Sequence, residues 1–153
     1  MGSKINQLLQ QWPAGTVATL RWLSSLGVDR RLADKYVQSG WLQRLGHGAY
    51  KRAGATVDWA GAVHALQTQL GVAVHPGGIS AIELRGYAHY LAFGTREVVL
   101  FGHPGTKLPA WFEAQAWSRP VKLVTTGIFA DESKGCCRPI STKTAYSIRS
   151  RPP

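Results

Sequence analysis

The stretch that decides the fold runs from Thr16 to Arg52 and reads TVATLRWLSSLGVDRRLADKYVQSGWLQRLGHGAYKR. It contains two short runs with the apolar spacing of helices, followed by two β-prone segments around a glycine-rich turn. Two helices with a short connection and a hairpin after them form the layout of a winged helix-turn-helix. We therefore predict an α+β protein, with an N-terminal winged helix-turn-helix followed by a small mixed α/β domain.

The second helix of this stretch is predicted over residues 30–39. Asp29 precedes it, and a carboxylate at that position can accept a hydrogen bond from the free N–H groups of the first turn. One face of the helix is apolar and is formed by Leu32, Ala33, Tyr36 and Val37. The opposite face is polar and carries Arg30, Arg31, Asp34, Lys35 and Gln38.

The predicted hairpin turns at Gly46-His47-Gly48, where glycine permits positive φ angles. Extended segments are expected on both sides, over residues 41–45 and 49–52. Three apolar side chains of these segments are expected to lie in the core rather than to stack on bases: Trp41, Leu45 and Tyr50.

The charge of the chain indicates a polyanionic partner. Among 153 residues there are 18 Lys and Arg against 8 Asp and Glu, which gives a net charge of +10 and a pI near 10.1. Such a balance favours nucleic acid or an anionic membrane surface. Residues 1–54 hold eight of the basic side chains and two of the acidic ones. The basic charge is therefore concentrated in the winged-helix stretch.

The pattern divides the chain into three parts. Residues 1–54 are expected to form the DNA-binding domain, residues 55–130 a small α+β domain, and residues 131–153 a basic, irregular tail. A helix is predicted over Lys4–Trp12 and a small strand over Thr16–Ala18. In the middle part we expect a helix over Trp59–Leu70 capped by Asp58, a strand over Val72–Val74, a helix over Ala81–Gly86 with Ser80 and Glu83 as a capping box, and strands over Glu97–Gly102 and Val121–Thr126.

The candidate DNA contacts lie on the helix face and on the hairpin. Arginine and lysine can pair with guanine in the major groove and glutamine with adenine, which favours Arg30, Arg31, Lys35 and Gln38 as base readers. Asp34 is expected mainly to orient an arginine. Hairpin side chains suited to phosphate contact are Arg44, His47, Lys51 and Arg52. The alternatives are a solvated helix face and an ordinary exposed hairpin.

Other classes of site find little support in the sequence. The histidines are scattered without metal-ligand spacing, and the adjacent Cys136 and Cys137 suit neither a metal site nor a disulfide framework. The glycine turn at residues 75–80 lacks the Lys-Ser/Thr ending of a phosphate loop. A nuclease would need a carboxylate cluster, whereas the acidic residues are mostly spread singly. No cofactor, no metal and no enzymatic step are expected. No apolar run approaches the roughly 20 residues of a membrane span, so a cytoplasmic location is expected.

Four segments carry a family resemblance. The stretch from Gly15 to Arg52, which ends in GWLQRLGHGAYKR, resembles the N-terminal winged-helix domain of AbiEi-type antitoxins. Three later segments resemble the region that follows it in that family. These segments are VHPGGISAIELRGYAHYL (74–91), VVLFGHPGTKLPAWF (98–112) and LVTTGIFAD (123–131). Residues 136–153 do not resemble the family, so we expect a shortened C-terminal part.

The resemblance implies a cytoplasmic bacterial regulator of a type IV toxin–antitoxin system linked to phage abortive infection. It implies binding of double-stranded DNA at promoter inverted repeats, repression of the protein's own operon, and a nucleotidyltransferase-like toxin as functional partner without a necessarily stable complex. In the family the second helix and the wing bind DNA, which corresponds to the eight residues named above. The alternative is a protein-interaction adaptor that uses the winged helix and residues 55–130 to bind a partner.

Overall fold

The computed structural model describes residues 4–86 and 97–127. Within these ranges the strands form two three-stranded sheets and helices pack around them, which confirms the α+β class. The basic tail with Cys136 and Cys137 lies outside the described residues. The elements in chain order are α1 (Lys4–Gln11), β1 (Ala18–Thr19), α2 (Leu20–Ser25), α3 (Arg30–Gln38), β2 (Leu42–Gly46), β3 (Ala49–Arg52), α4 (Trp59–Gln69), β4 (Val74–Pro76), α5 (Gly78–Leu84), β5 (Val98–Gly102), α6 (Ala110–Glu113) and β6 (Val121–Thr125).

Both helices of the predicted pair begin at side-chain caps. The Thr19 hydroxyl accepts a hydrogen bond from the Trp22 N–H at 3.3 Å, and the Asp29 carboxylate accepts one from the Leu32 N–H at 2.8 Å. Such caps satisfy N–H groups that have no partner inside the helix. The predicted helix at residues 30–39 and its cap are thus confirmed.

The first sheet has the strand order β1-β3-β2, with both pairs antiparallel. The hairpin β2–β3 is confirmed, and Gly48 adopts the positive φ of 70° that its turn requires. The register shifts between Arg44 and Gly46, so that Leu45 is an extra, bulged residue. The first strand lies at Ala18–Thr19, later than the predicted 16–18, because these are the residues that pair with Tyr50 and Ala49.

The second sheet has the order β4-β5-β6, with β4 antiparallel and β6 parallel to β5. Strands β5 and β6 agree with the sequence prediction, and β5 buries Val98 and Leu100 on one face. Strand β4 starts at Val74 rather than at Val72. The short helix α6 was not expected; it buries Trp111 and Phe112.

The predicted capping box at Ser80 and Glu83 is wrong. Helix α5 already starts at Gly78, its N-cap is Gly77, and no side chain caps it. Gly77 donates its N–H to the Val99 carbonyl at 2.9 Å, which turns the chain into the helix directly after β4. Ser80 is therefore buried inside the helix, and Glu83 accepts a hydrogen bond from Arg119 at 2.8 Å.

Two hydrophobic clusters fill the interior, and β3 contributes to both. Tyr50 belongs to the cluster under α1, α2 and α3, whereas its neighbour Ala49 belongs to the cluster formed with α4, β4, β5 and α6. Successive side chains of a strand point to opposite faces, which explains this division. The two sheets therefore share packed side chains across the predicted boundary at residue 54.

One expectation about the core is wrong and two are confirmed. Tyr50 is buried and Leu45 is partly buried, but Trp41 is 48% exposed. The backbone of Trp41 bonds to Tyr36 and Ala53, and the residue lies in a bend directly before the buried Leu42 of β2. The Trp41 side chain is not part of the cluster that Leu42 enters.

Gln69, in the second part of the chain, also forms hydrogen bonds with the first sheet. The Gln69 side chain donates to the Val17 carbonyl at 2.8 Å and accepts from the Thr19 N–H at 2.7 Å. Nearby, Gly61 of α4 lies so close to the loop before β1 that an added Cβ would be 2.1 Å from the Gly15 carbonyl oxygen. The backbones of α4 and of this loop are therefore in direct contact.

This contact reverses the usual effect of alanine in a helix. Helix propensity alone predicts that Gly61→Ala stabilises the protein by about 1 kcal/mol. Because the new methyl group would meet a backbone oxygen, we expect Gly61→Ala to destabilise it by about 1–3 kcal/mol. Urea unfolding measures the difference. Thr68→Ala, on the exposed side of the same helix, serves as control and is expected to change stability by less than about 0.5 kcal/mol. A stabilised Gly61→Ala protein would contradict the packing of α4 on residues 15–16.

Candidate nucleic-acid interface

The polar face of α3 is open to solvent. Ala33 is fully buried on the other side of the helix, while Leu32, Tyr36 and Val37 pack on the same cluster. The fold thus holds the helix by its apolar face and leaves the opposite side free. Four of the sequence-predicted site residues lie together on this exposed side: Arg30, Arg31, Lys35 and Gln38.

An ion pair joins α3 to the hairpin. Arg44 on β2 donates a hydrogen bond to the Asp34 carboxylate, and its guanidinium carbon lies 5.9 Å from the centre of the Tyr50 ring. The hydrogen bond to Asp34, with the attraction of its charge, raises the pKa of Arg44 above its ordinary value. The expectation that Asp34 orients an arginine is confirmed. Both side chains are well exposed, so the pair fixes orientation more than it adds stability.

The hairpin distributes its basic side chains over two faces. Arg44 is opposite Tyr50 in the ladder, and Lys51 is opposite Gln43. Because paired residues share a face and successive residues alternate, Lys51 and Arg44 point to opposite sides of the sheet. His47 is exposed at the tip of the hairpin. The structure therefore brings Arg44 to the α3 side, whereas Lys51 lies on the other side.

Arg52 is engaged inside the protein. Its guanidinium donates hydrogen bonds to the carbonyls of Leu9 and Trp12, and it lies 6.0 Å from the centre of the Trp12 indole. Burial lowers the pKa of Arg52 from its ordinary value. These carbonyls lie at the C-terminal end of α1, where C=O groups lack hydrogen-bond donors inside the helix, and Arg52 supplies a donor to them. Arg52 thus ties the end of the hairpin to α1, and its contact with DNA stays a prediction.

Sequence reasoning did not find Trp41 as an exposed residue of this region. Its large side chain lies three residues after the end of α3 and directly before β2. A hydropathy pattern places tryptophan in the core by default. Its exposure is seen only in the folded structure, where it lies in the bend between α3 and β2.

Two further classes of feature are absent from the described ranges, residues 4–86 and 97–127. No group of three or more His, Cys, Asp or Glu side chains there could hold a metal ion. No helix in these ranges has the length and apolar character needed to cross a membrane.

The chain has one informative similarity at the level of families. The family model described as "Transcriptional regulator, AbiEi antitoxin N-terminal domain" matches residues 1–93, more than half of the chain. No match was found among curated proteins. Among solved structures, the crystal structure of the RV2827C protein from Mycobacterium tuberculosis is similar, with 18% sequence identity and a TM-score of 0.47. That similarity covers 80% of this chain and 44% of the other, so the chain spans less than half the length of that protein.

The contacts of Arg52 and Arg44 predict effects of different size on stability. We expect Arg52→Met to lower the free energy of unfolding by about 1–3 kcal/mol, because two carbonyls at the end of α1 lose a charged donor. Arg44→Met removes only an exposed pair and should leave stability nearly unchanged. Thermal and urea unfolding of the two variants measure this. Equal stability of the Arg52→Met and wild-type proteins would contradict the structural role of Arg52.

Proposed function

The chain belongs to the AbiEi antitoxin N-terminal domain family of transcriptional regulators, and from this premise we propose that it binds double-stranded operator DNA and represses its own operon. The single observation that carries the proposal is the exposed polar face of α3. It offers three basic side chains and one amide on a helix whose apolar face packs on the N-terminal cluster. Such a face can enter the major groove without rearrangement of the core.

The arrangement of the first 54 residues supports this role. Helices α2 and α3 are joined by residues 26–29. Strand β1 precedes α2, strands β2 and β3 follow α3, and the three strands form one antiparallel sheet. We assign this arrangement to a winged helix-turn-helix, with the hairpin β2–β3 as the wing. Residues 1–54 then act as the DNA-binding domain, and residues 55–130 as a supporting α+β domain.

The proposed contacts divide into reading and positioning. Arg30, Arg31, Lys35 and Gln38 read base edges, since arginine, lysine and glutamine match the donor and acceptor pattern of purines. Four wing residues approach the phosphates and hold the register of the complex: Arg44, His47, Lys51 and Arg52. Arg52 contributes mainly by holding the wing on α1, because its donors already serve two carbonyls.

Further parts of the proposal come from the family. The DNA is a promoter with inverted repeats, the system is a type IV toxin–antitoxin pair in the cytoplasm, and the protein catalyses no reaction. Its functional partner is a nucleotidyltransferase-like toxin, whose effect it can counter without necessarily forming a stable complex. A reading frame for such a toxin directly next to this one would support the assignment.

A triple variant tests the recognition helix. We expect Arg30→Ala, Arg31→Ala and Lys35→Ala together to weaken binding to a duplex from the promoter by roughly a hundredfold or more, because three groove contacts are lost. Gel shift and fluorescence anisotropy measure the affinity, and circular dichroism checks that the fold is retained.

The chain offers a control with the same loss of charge. Arg85, Lys107 and Lys122 are exposed basic residues outside the winged helix. Their triple alanine variant should keep most of the wild-type affinity for the promoter duplex. Equal losses in both variants would mean that overall charge rather than α3 binds DNA. A wild-type protein that binds a partner protein but no DNA above the nonspecific level would favour the adaptor alternative.

The salt dependence of binding gives a separate test for the wing. A lysine that contacts a phosphate releases a counterion on binding. Its removal therefore makes the negative slope of log K against log salt concentration shallower by about 1. We expect Lys51→Ala to show this reduction with unchanged preference for the promoter over a scrambled duplex. A slope equal to that of the wild-type protein would remove Lys51 from the contact set.

A further inference from the structure

The wing is held on a second side, by a part of the chain that carries none of the proposed DNA contacts. At the bulge in β2, Leu45 is the extra residue that the ladder with β3 skips. The backbone of a bulged residue is left without its ladder partner. Here the Leu45 carbonyl accepts a hydrogen bond at 2.6 Å from the Gln115 side-chain amide, which follows α6 by two residues.

A close backbone approach accompanies this hydrogen bond. A Cβ atom added to Gly46 would lie 2.6 Å from the Trp111 Cβ and 3.1 Å from its Cα. The wing backbone therefore rests directly on α6. Trp111 itself is buried in the cluster shared with β4 and β5, and Leu45 packs against the same cluster. The surface on which the wing rests is thus part of the core of the second sheet.

Two supports consequently meet at consecutive residues of β2. Arg44 is tied to Asp34 on α3, and Leu45 is tied to Gln115 beside α6. Both lie two or three residues before His47 at the tip. The first contact sets the wing relative to α3, and the second sets it relative to the second sheet.

We infer that Gln115 is a positioning residue for DNA binding, through which the second sheet holds the wing in its DNA-contacting place. This inference rests on the proposed function. Gln115 touches no DNA. It raises the fraction of molecules in which the bulge and the tip have the competent arrangement, and the apparent dissociation constant varies inversely with that fraction. The part of the chain beyond residue 54 is then a component of the DNA-binding unit.

The test replaces the amide by an apolar group of similar shape. Gln115→Met removes the donor, and Gln115→Ala serves as a second variant. Gln67→Met is the matched control, because Gln67 likewise donates its side-chain amide to a backbone carbonyl, that of Val74 at 2.6 Å, within the second part. The probes are a duplex from directly upstream of the reading frame and a scrambled duplex of equal length.

Two readouts are measured on the full chain. Amide hydrogen exchange without DNA should become at least about fivefold faster at residues 46–49 in Gln115→Met, and should stay unchanged there in Gln67→Met. Affinity for the upstream duplex should fall about fivefold to tenfold in Gln115→Met, which corresponds to a competent fraction reduced by the same factor. A double-mutant cycle separates positioning from general destabilisation. Gln115→Met should be strongly non-additive with His47→Ala and additive with Arg31→Ala.

The outcomes distinguish this inference from the proposed function. Unchanged amide exchange at residues 46–49 overturns the inference, whatever the affinity for the upstream duplex. Faster exchange with wild-type affinity for the upstream duplex also overturns it, since the bond would then be structural only. If the wild-type protein does not prefer the upstream over the scrambled duplex, the proposed function is overturned, and the DNA-positioning role of Gln115 with it. Faster exchange in Gln115→Met would then show only that Gln115 supports the wing. Faster exchange, lost affinity and coupling restricted to His47 support the inference.

Discussion

The structure depends on a single strand that serves two cores. In β3, Ala49 and Tyr50 are consecutive and both are buried, yet they enter different hydrophobic clusters. Since the side chains of a strand alternate between its faces, neither face of β3 can be left to solvent. The three N-terminal helices cover one face, and α4 with α6 covers the other. This requirement explains why the chain after residue 54 packs onto the first sheet instead of forming a separate body.

The local structure of the N-terminal part could be predicted closely because its signals are local. Asp29 as a cap, the apolar face of α3 and Gly48 in the turn after His47 each act within a few residues, and each had the expected effect. The exposed face of α3 followed from the same periodicity. The pairing of Asp34 with an arginine could also be predicted, because a carboxylate surrounded by basic side chains attracts one of them.

The remaining features depend on contacts between distant residues. Trp41 was expected inside, but it lies in a bend whose carbonyl accepts a hydrogen bond from Ala53 at the end of the hairpin, and its side chain is exposed. In the sequence Arg52 resembles the other basic residues of the hairpin. In the structure it donates hydrogen bonds to the carbonyls of Leu9 and Trp12 at the end of α1. The short helix α6 has no strong periodicity of its own, and its two buried aromatic residues gain their place from the second sheet. No pattern of spacing in the sequence encodes such pairings.

The hydrogen bonds of Gln69 have a consequence for association between molecules. Strand β1 is an edge of the first sheet, and the exposed backbone groups of an edge strand invite pairing with a strand of another chain. Gln69 fills both hydrogen-bonding positions that flank Ala18, as a neighbouring strand would. One side-chain amide thus replaces the missing neighbour. This edge is thereby protected against sheet-to-sheet aggregation without a charged residue or a proline in β1.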